Sequence, residues 1–357
     1  MEAMGLNLNF WKNKRVFITG HTGFKGSWLS LFLNELGCEI YGYALRPETE
    51  PNAYSIFGLS SKLESVFGDT RDLESLQKSI NNFKPDIIFH LASKPLVRFS
   101  YSFPIETYST NVMGLMNLLE TCKNLKNKCI ILNVTSDKCY LNNQDKTTFE
   151  ETDPLGGNDI YSSSKACAEI LSRAYQHSFF ANSMIGSFTA RAGNVIGGGD
   201  WSKDRIITDL VNNIYGDKKE LTIRYPYSVR PWQHVLDALY GYLLLIEKGW
   251  DHTIEHGSAF NFGPSQDREV NVLELLKIFS SKINSSMNYK FLETNELHED
   301  NKIILNSQKA MSVLKWKPKY NVIQSIEETA IWYEKYYNDI DIVDYSKKLI
   351  QRYLDEQ

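Results

Sequence analysis

Hydrophobic positions in the first half of the chain alternate between two spacings. Short runs rich in β-branched and aromatic residues, RVFIT at 15–19, CEIYGYA at 38–44 and DIIFHLA at 86–92, read as strands. Between them lie segments with helical spacing, SWLSLFLNELG at 27–37 and a stretch near 72–82. A further helix is expected over about 105–124, leading into CIILNV at 129–134, and a long helix over about 160–178 precedes MIGSFTAR at 184–191. Six or seven strands in βα order specify an α/β fold, a doubly wound parallel sheet of the Rossmann type. Beyond residue 191 the alternation breaks into the Gly- and Pro-containing segments GNVIGGGDWS and RYPYSVRPWQH, whereas AFNFG at 259–263 reads as one more strand. The expected organisation is interleaved: a large sheet domain over 1–190, rejoined by roughly 231–265, and a smaller C-terminal domain over 191–230 and 266–357.

Composition narrows the partners. With 42% hydrophobic and 23% charged residues the chain has the balance of an ordinary globular protein. A formal net charge of -4 gives no overall attraction to nucleic acid or to an anionic membrane. Five cysteines, Cys38, Cys122, Cys129, Cys139 and Cys167, are odd in number and form no CxxC pair, which argues against a disulfide framework and against a metal site. The opening MEAMGLNLNFWKNK lacks an apolar stretch of signal-peptide length, and the longest apolar runs elsewhere are strand-sized. The expectation is a cytoplasmic protein.

RVFITGHTGFKG at 15–26 places Gly20, Gly23 and Gly26 between a strand and a helix. Glycines let the backbone approach a pyrophosphate, and the amides and dipole of the following helix stabilise its charge, so the turn predicts a dinucleotide site that also includes Thr22 and Phe24. A plain tight turn is the competing explanation, weakened by the strand before and the helix after. At the end of the second strand, where an NAD site commonly carries an acid, stand Ala44, Leu45 and Arg46. NAD and NADP therefore both remain open from local chemistry. Asp69 follows the third strand, either accepting from an adenine amino group or acting as a turn residue. Leu91 and Ala92 in HLAS close the next strand beside the nicotinamide half, with His90 expected as a packed strand-end residue.

YSSSK at 161–165 sets Tyr161 and Lys165 four residues apart on one helix face. A cation there favours phenolate and draws the tyrosine from near 10 toward working pH. Upstream, CIILNV runs into TSDK, presenting Thr135, Ser136, Asp137 and Lys138 at the carboxyl edge of the sheet, where ligands of such folds bind.

Glycine turn, strand-end hydroxyl and YxxxK in this order resemble the short-chain dehydrogenase/reductase superfamily, in its extended branch. GHTGFKGSWL, HLASKPLVRFSY, TYSTNVMG, NVTSDKCY, IYSSSK, RAGNVIGGGDW and RPWQHV together resemble the CDP-glucose 4,6-dehydratases across nearly the whole chain, with a looser match over the last 90 residues. The resemblance implies an NAD-dependent hydro-lyase acting on a nucleotide sugar. Such an enzyme oxidises the hexose at carbon 4, removes water across carbons 5 and 6 and returns hydride to carbon 6. Tyr161 takes the 4-hydroxyl proton, Ser136 holds that oxygen, and Lys165 tunes the phenol. Asp137 is the implied acid at the leaving 6-hydroxyl and Lys138 the implied base at carbon 5, unless Lys138 merely pairs with Asp137. Asn194, Arg205 and Arg230, with the glycines at 197–199, are the expected holders of substrate phosphate. Tyr225 stands where the family usually has Asn. Trp232 and His234 frame the pocket or pack as a core pair, Asn111 supports the site from behind, and His298 and Glu299 echo the family. The resemblance further implies a homodimer or homotetramer and a part in deoxysugar formation for surface polysaccharide such as lipopolysaccharide O-antigen.

A 4-epimerase of the same superfamily would share Ser136, Tyr161 and Lys165, and differ in having no use for an acid and base at Asp137 and Lys138. A nonenzymatic dinucleotide-binding regulator would need the glycine turn alone.

Overall fold

In the computed structural model the described residues are 5–142, 146–217, 220–265, 267–292 and 303–356. Seven strands form one sheet: β1 (Arg15–Thr19), β2 (Glu39–Ala44), β3 (Glu64–Phe67), β4 (Ile87–His90), β5 (Cys129–Val134), β6 (Ile185–Ala192) and β7 (Ala259–Phe262). They lie in the order β7-β6-β5-β4-β1-β2-β3, every pairing parallel. The direction of winding reverses between β1 and β4, which in an open sheet opens a crevice at the carboxyl ends of the strands. Register places Thr19 opposite Tyr43 and His90, His90 opposite Asn133, and Val134 opposite Ala190, so the segments that follow β1, β2, β4, β5 and β6 emerge on one edge.

The strands are apolar on both faces because helices cover both. Val16, Ile18, Ile87, Phe89, Ile130 and Leu132 face one apolar cluster, while Phe17, Ile88, Cys129 and Ile131 face the other, the two-residue alternation of a pleated strand. The first cluster packs against α1 (Phe24–Glu35), buried continuously from Gly26 to Leu33, and later against α6 (Val235–Trp250). The second receives α2 (Leu73–Phe83), α3 (Gly114–Cys122) and α4 (Ile160–Tyr175). Asp72 caps α2 by accepting from the Ser75 amide, and Asp159 caps α4 by accepting from the Ser162 amide.

Two helical expectations take a different form. The helix expected near 105–124 is built from Pro104–Tyr108, a π-helical turn at Ser109–Met113, and α3. The helix expected to start near Ser27 begins at Phe24, so Phe24 and Lys25 already belong to its first turn. Beyond β6, the two-residue pair Val195–Ile196 with Gln233–His234 and the pair Leu221–Ile223 with Tyr289–Phe291 flank α5 (Ile206–Ile214). The chain then closes with α7 (Val272–Lys282), α8 (Val322–Tyr337) and α9 (Ile342–Asp355). Capping boxes start α7 at Asn271 and Glu274 and α8 at Asn321 and Gln324. Among the described residues no helix is long and apolar enough to cross a membrane.

Candidate active site

The carboxyl edge of the sheet borders a cavity of about 980 Å³ that runs from the glycine turn to the segments around 192–209 and 222–232. Gly20 has φ +78°, and a Cβ there would stand 2.8 Å from the Ala92 amide nitrogen. A Cβ on Gly26 would lie 2.1 Å from the Gly20 carbonyl oxygen, so the turn closes directly on the first turn of α1. Gly23 is the N-cap and leaves the helix mouth uncovered. Thr22 fastens the turn by donating to the Leu45 carbonyl at 2.8 Å. His21 belongs to the packing: its Nε2 meets Ser65 Oγ at 2.7 Å, and burial lowers its ring to about 4. Thr22, Phe24, Leu91 and Ala92 all line the cavity.

Asp69 also reaches the cavity, but its carboxylate is held by its own neighbour. Arg71 donates through its backbone and guanidinium at 2.5–3.0 Å, and that hydrogen bonding is the main reason the Asp69 carboxyl sits below the usual range. At the end of β2 the Arg46 guanidinium lies over the Phe67 ring at 4.5 Å.

Directly after β5 the chain turns tightly through Asp137–Cys139. Ser136 starts the turn: its Oγ accepts from the Lys138 amide at 3.2 Å and donates to Asp137 Oδ1 at 2.8 Å. The same hydroxyl is the hydrogen-bonding partner of the Tyr161 phenol. Asp137 is buried against the backbone of Gly193, where a Cβ would stand 3.0 Å from its Oδ2. Burial raises the Asp137 carboxyl above the ordinary range, with Lys138, the Ser136 hydrogen bond, Lys25 and Arg230 pulling the other way.

Tyr161 and Lys165 occupy one face of α4, the Lys165 ammonium 6.0 Å from the phenol ring centre. Burial pushes the Tyr161 phenol up to about 12 and outweighs its hydrogen bonding with Ser136. This corrects the expectation that a neighbouring ammonium draws the phenol toward neutral pH in the protein alone: burial acts on both groups, and it brings Lys165 down to about 8 against the pull of Glu169 and Cys139. Asn111, in the π-helical turn, accepts from the Lys94 amide at 2.7 Å and donates to Ser164 Oγ at 2.9 Å, tying α4 to the loop after β4. His90 is a packed strand end, bonded through Nδ1 to Thr19 Oγ1 at 2.8 Å.

On the far side, Asn194, Arg205 and Arg230 line the cavity with Tyr225 and Trp232. Arg205 lies 3.3 Å from Asp200 Oδ2. Of the glycines at 197–199, Gly197 and Gly199 line the cavity and Gly198 does not. A Cβ on Gly198 would penetrate the Trp332 ring at 1.9 Å, and the Gly198 carbonyl accepts from Trp28 Nε1 at 2.8 Å, so close packing accounts for that glycine. His234 is a core residue that caps α6 by accepting from the Leu236 amide and packs edge-on against Tyr320. His298 and Glu299 lie outside the described residues. Among the described residues no cluster of His, Cys, Asp or Glu is arranged to hold a metal ion.

Three features escaped the sequence reading. Glu169 lies four residues beyond Lys165 and joins Thr135, Thr189 and Arg191 in a buried network, its Oε2 2.7 Å from both Thr189 Oγ1 and Arg191 Nη2. Arg191 continues that network to the Tyr140 hydroxyl at 2.8 Å, and Tyr140 in turn donates to Asn261 Oδ1 at 2.7 Å. Lys25 enters the cavity from the glycine turn. The i, i+4 spacing of Lys165 and Glu169 was the available signal for the first, and a lysine among glycines for the last.

The model of the GDP-mannose 4,6 dehydratase family matches residues 17–329. A CDP-glucose 4,6-dehydratase of Salmonella typhimurium is 42% identical over 354 residues, 98% of each chain. A probable dTDP-glucose 4,6-dehydratase of Sinorhizobium fredii is 24% identical over 89% of this chain and 92% of its own. Among solved structures, dTDP-glucose 4,6-dehydratase from Bacillus anthracis in complex with NAD aligns with TM-score 0.76 and 23% identity, covering 93% of this chain and 99% of that chain. UDP-glucose 4-epimerase from Thermotoga maritima aligns with TM-score 0.77 and 21% identity, covering 90% and 99%. At these identities the structural likeness establishes the fold.

Proposed function

The chain belongs to the GDP-mannose 4,6-dehydratase family, and from that premise we propose that it is a CDP-glucose 4,6-dehydratase, forming CDP-4-keto-6-deoxyglucose and water. The observation that carries the reading is the convergence of Ser136, Asp137, Lys138, Tyr161 and Lys165 on one cavity, in a chain 42% identical over its length to an enzyme of that name.

The turn around Gly20 and Gly26, where a side chain would collide with backbone, fits a dinucleotide pyrophosphate at the mouth of α1. Gly20, Thr22, Gly23, Phe24, Gly26, Leu91 and Ala92 would hold NAD, with Asp69 at the adenine end and Tyr161 and Lys165 at the ribose. NAD supplies the two-electron acceptor for oxidation at carbon 4 and gives the electrons back at carbon 6.

The protein's own groups handle the protons. Tyr161 acts as a phenolate, its charge offset by the Lys165 ammonium, and takes the proton of the 4-hydroxyl, whose oxygen Ser136 steadies. The 4-ketone acidifies the carbon 5 hydrogen, which Lys138 removes. Asp137, whose carboxyl burial raises, gives its proton to the departing 6-hydroxyl so that water leaves. Lys138 then returns its proton to carbon 5 as carbon 6 is reduced. Asn194, Arg205 and Arg230 hold the substrate diphosphate.

Residues 1–190 with roughly 231–265 form the cofactor half, and 191–230 with 266–357 the sugar-nucleotide half. Exposed apolar side chains on the helix carrying Tyr161 (Ile170) and on neighbouring segments (Ile105, Met113, Met116) fit pairing with a second copy into a dimer or tetramer. The five thiols are free, as in a cytoplasmic enzyme.

Product analysis with CDP-glucose, dTDP-glucose and UDP-glucose, each with NAD or NADP, tests the assignment. Turnover of CDP-glucose with NAD to a 4-keto-6-deoxy product is expected. A 4-epimer, or unchanged hexose in every arm, would overturn it.

A further inference from the structure

Lys25 stands in the first turn of α1, inside GHTGFKG, and no role above uses it. Three physical costs attend a cation at this place. The amino end of a helix carries partial positive charge, which disfavours a cation in its first turn. The side chain lines the cavity, and the surrounding protein removes much of its hydration. Arg205 and Lys165 press on it with like charge, with Asp137 opposing them.

Within the protein little offsets these costs. No hydrogen bond or ion pair to the Lys25 ammonium occurs among the described residues. The carboxylate that acts on it, Asp137, accepts from Ser136 Oγ at 2.8 Å. Burial, then Arg205 and Lys165, bring its ammonium down to about 7. A chain that retains a cation against its own electrostatics at the foot of a ligand cavity is arranged for an anion that arrives from outside.

We infer that Lys25 is a diphosphate-binding residue, its ammonium meeting phosphate oxygens between the amides of α1 and the Arg205 guanidinium. This rests on the reading that a dinucleotide and a nucleotide sugar enter the cavity; both carry a diphosphate, and lysine serves such groups as a point charge on a flexible stem. An anion at this position restores the full charge of Lys25, so binding takes up a proton.

Calorimetric titration of the full chain with CDP, and separately with ADP-ribose, in buffers of different ionisation enthalpy tests this. At about pH 8 the wild type is expected to take up close to one proton per diphosphate bound at Lys25. Lys25→Met should bind that ligand about 10- to 100-fold more weakly and lose the uptake. Lys25→Arg, which keeps its charge at this pH, should bind within a few-fold of wild type and also lose the uptake. A loss confined to CDP assigns the nucleotide-sugar diphosphate, and one confined to ADP-ribose assigns the cofactor. Because Lys25 costs the ligand-free fold energy, Lys25→Met should melt no lower than wild type; a lower Tm would mark a structural residue and overturn the inference. Wild-type affinity and proton uptake in Lys25→Met toward both ligands would overturn it equally. Wild type binding neither ligand would defeat the proposed function, and this inference with it.

Discussion

Replacing Glu169 by Gln separates the two tasks that the buried network performs beneath the active site. Both Glu169 and Arg191 are 3% exposed, and their 2.7 Å contact is reinforced by hydroxyls from Thr135 and Thr189. Glutamine preserves the shape and most of the hydrogen bonds but leaves the Arg191 guanidinium buried without its counter-charge. Breaking one side of such a pair costs about 3–5 kcal/mol. With an unfolding entropy of roughly 2.1 cal/mol/K per residue, a chain of 357 residues loses about 4–7 °C of Tm, measurable by calorimetry. The second effect is chemical. Glu169 is the leading group that holds the Lys165 ammonium up against burial, so its loss lets Lys165 deprotonate at lower pH. Groups facing Lys165 from other elements, Cys139 after β5 and Lys25 on α1, are unchanged by the substitution. The alkaline limb of kcat/KM against pH should therefore move to lower pH in Glu169→Gln. Adding Arg191→Met removes the stranded cation and should recover much of the Tm while leaving the limb displaced. An unshifted limb in both variants would refute the tuning argument, and an unchanged Tm in Glu169→Gln would refute the ion-pair argument.

Tyr161→Phe should reduce turnover about 10²- to 10⁴-fold, the range for loss of a positioned acid or base, while calorimetry shows CDP affinity little changed. Gly26→Ala forces a Cβ to 2.1 Å from the Gly20 carbonyl, so a fall in Tm and loss of saturable NAD binding by fluorescence titration are expected together. Lys25 titrates near 7 in the folded chain and near 10.4 when unfolded, so between those values the unfolded chain binds more protons and wild-type stability rises with pH. The Tm of Lys25→Met relative to wild type should accordingly be highest below about pH 7 and converge with it toward pH 10; a difference independent of pH would contradict the assigned titration.

The sheet was legible because burial on both faces leaves an unmistakable local pattern: CIILNV and RVFIT are predominantly apolar at consecutive positions where helices cover both sides. Glycine turn, strand-end Ser136 and the Tyr161–Lys165 spacing were legible for the same reason, each being a local constraint written into consecutive residues. What the sequence hid depends on distance in space. The Glu169–Arg191 pair joins residues 22 apart on different elements, and Gly198 is required by a tryptophan ring more than 130 positions downstream. The phenol of Tyr161 illustrates a third kind of gap: the spacing correctly brought a lysine beside it, but burial, which spacing does not report, governs the direction in which both groups shift.

The central claim is that oxidation at carbon 4 is the first step of an internal redox cycle ending at carbon 6. CDP-glucose deuterated at carbon 4, incubated with the enzyme and NAD and followed by proton and deuterium NMR, tests it most directly. The account predicts a 4-keto-6-deoxy product carrying the deuterium at carbon 6. Deuterium returned to carbon 4, as an epimerase would leave it, or lost from the sugar, would contradict it.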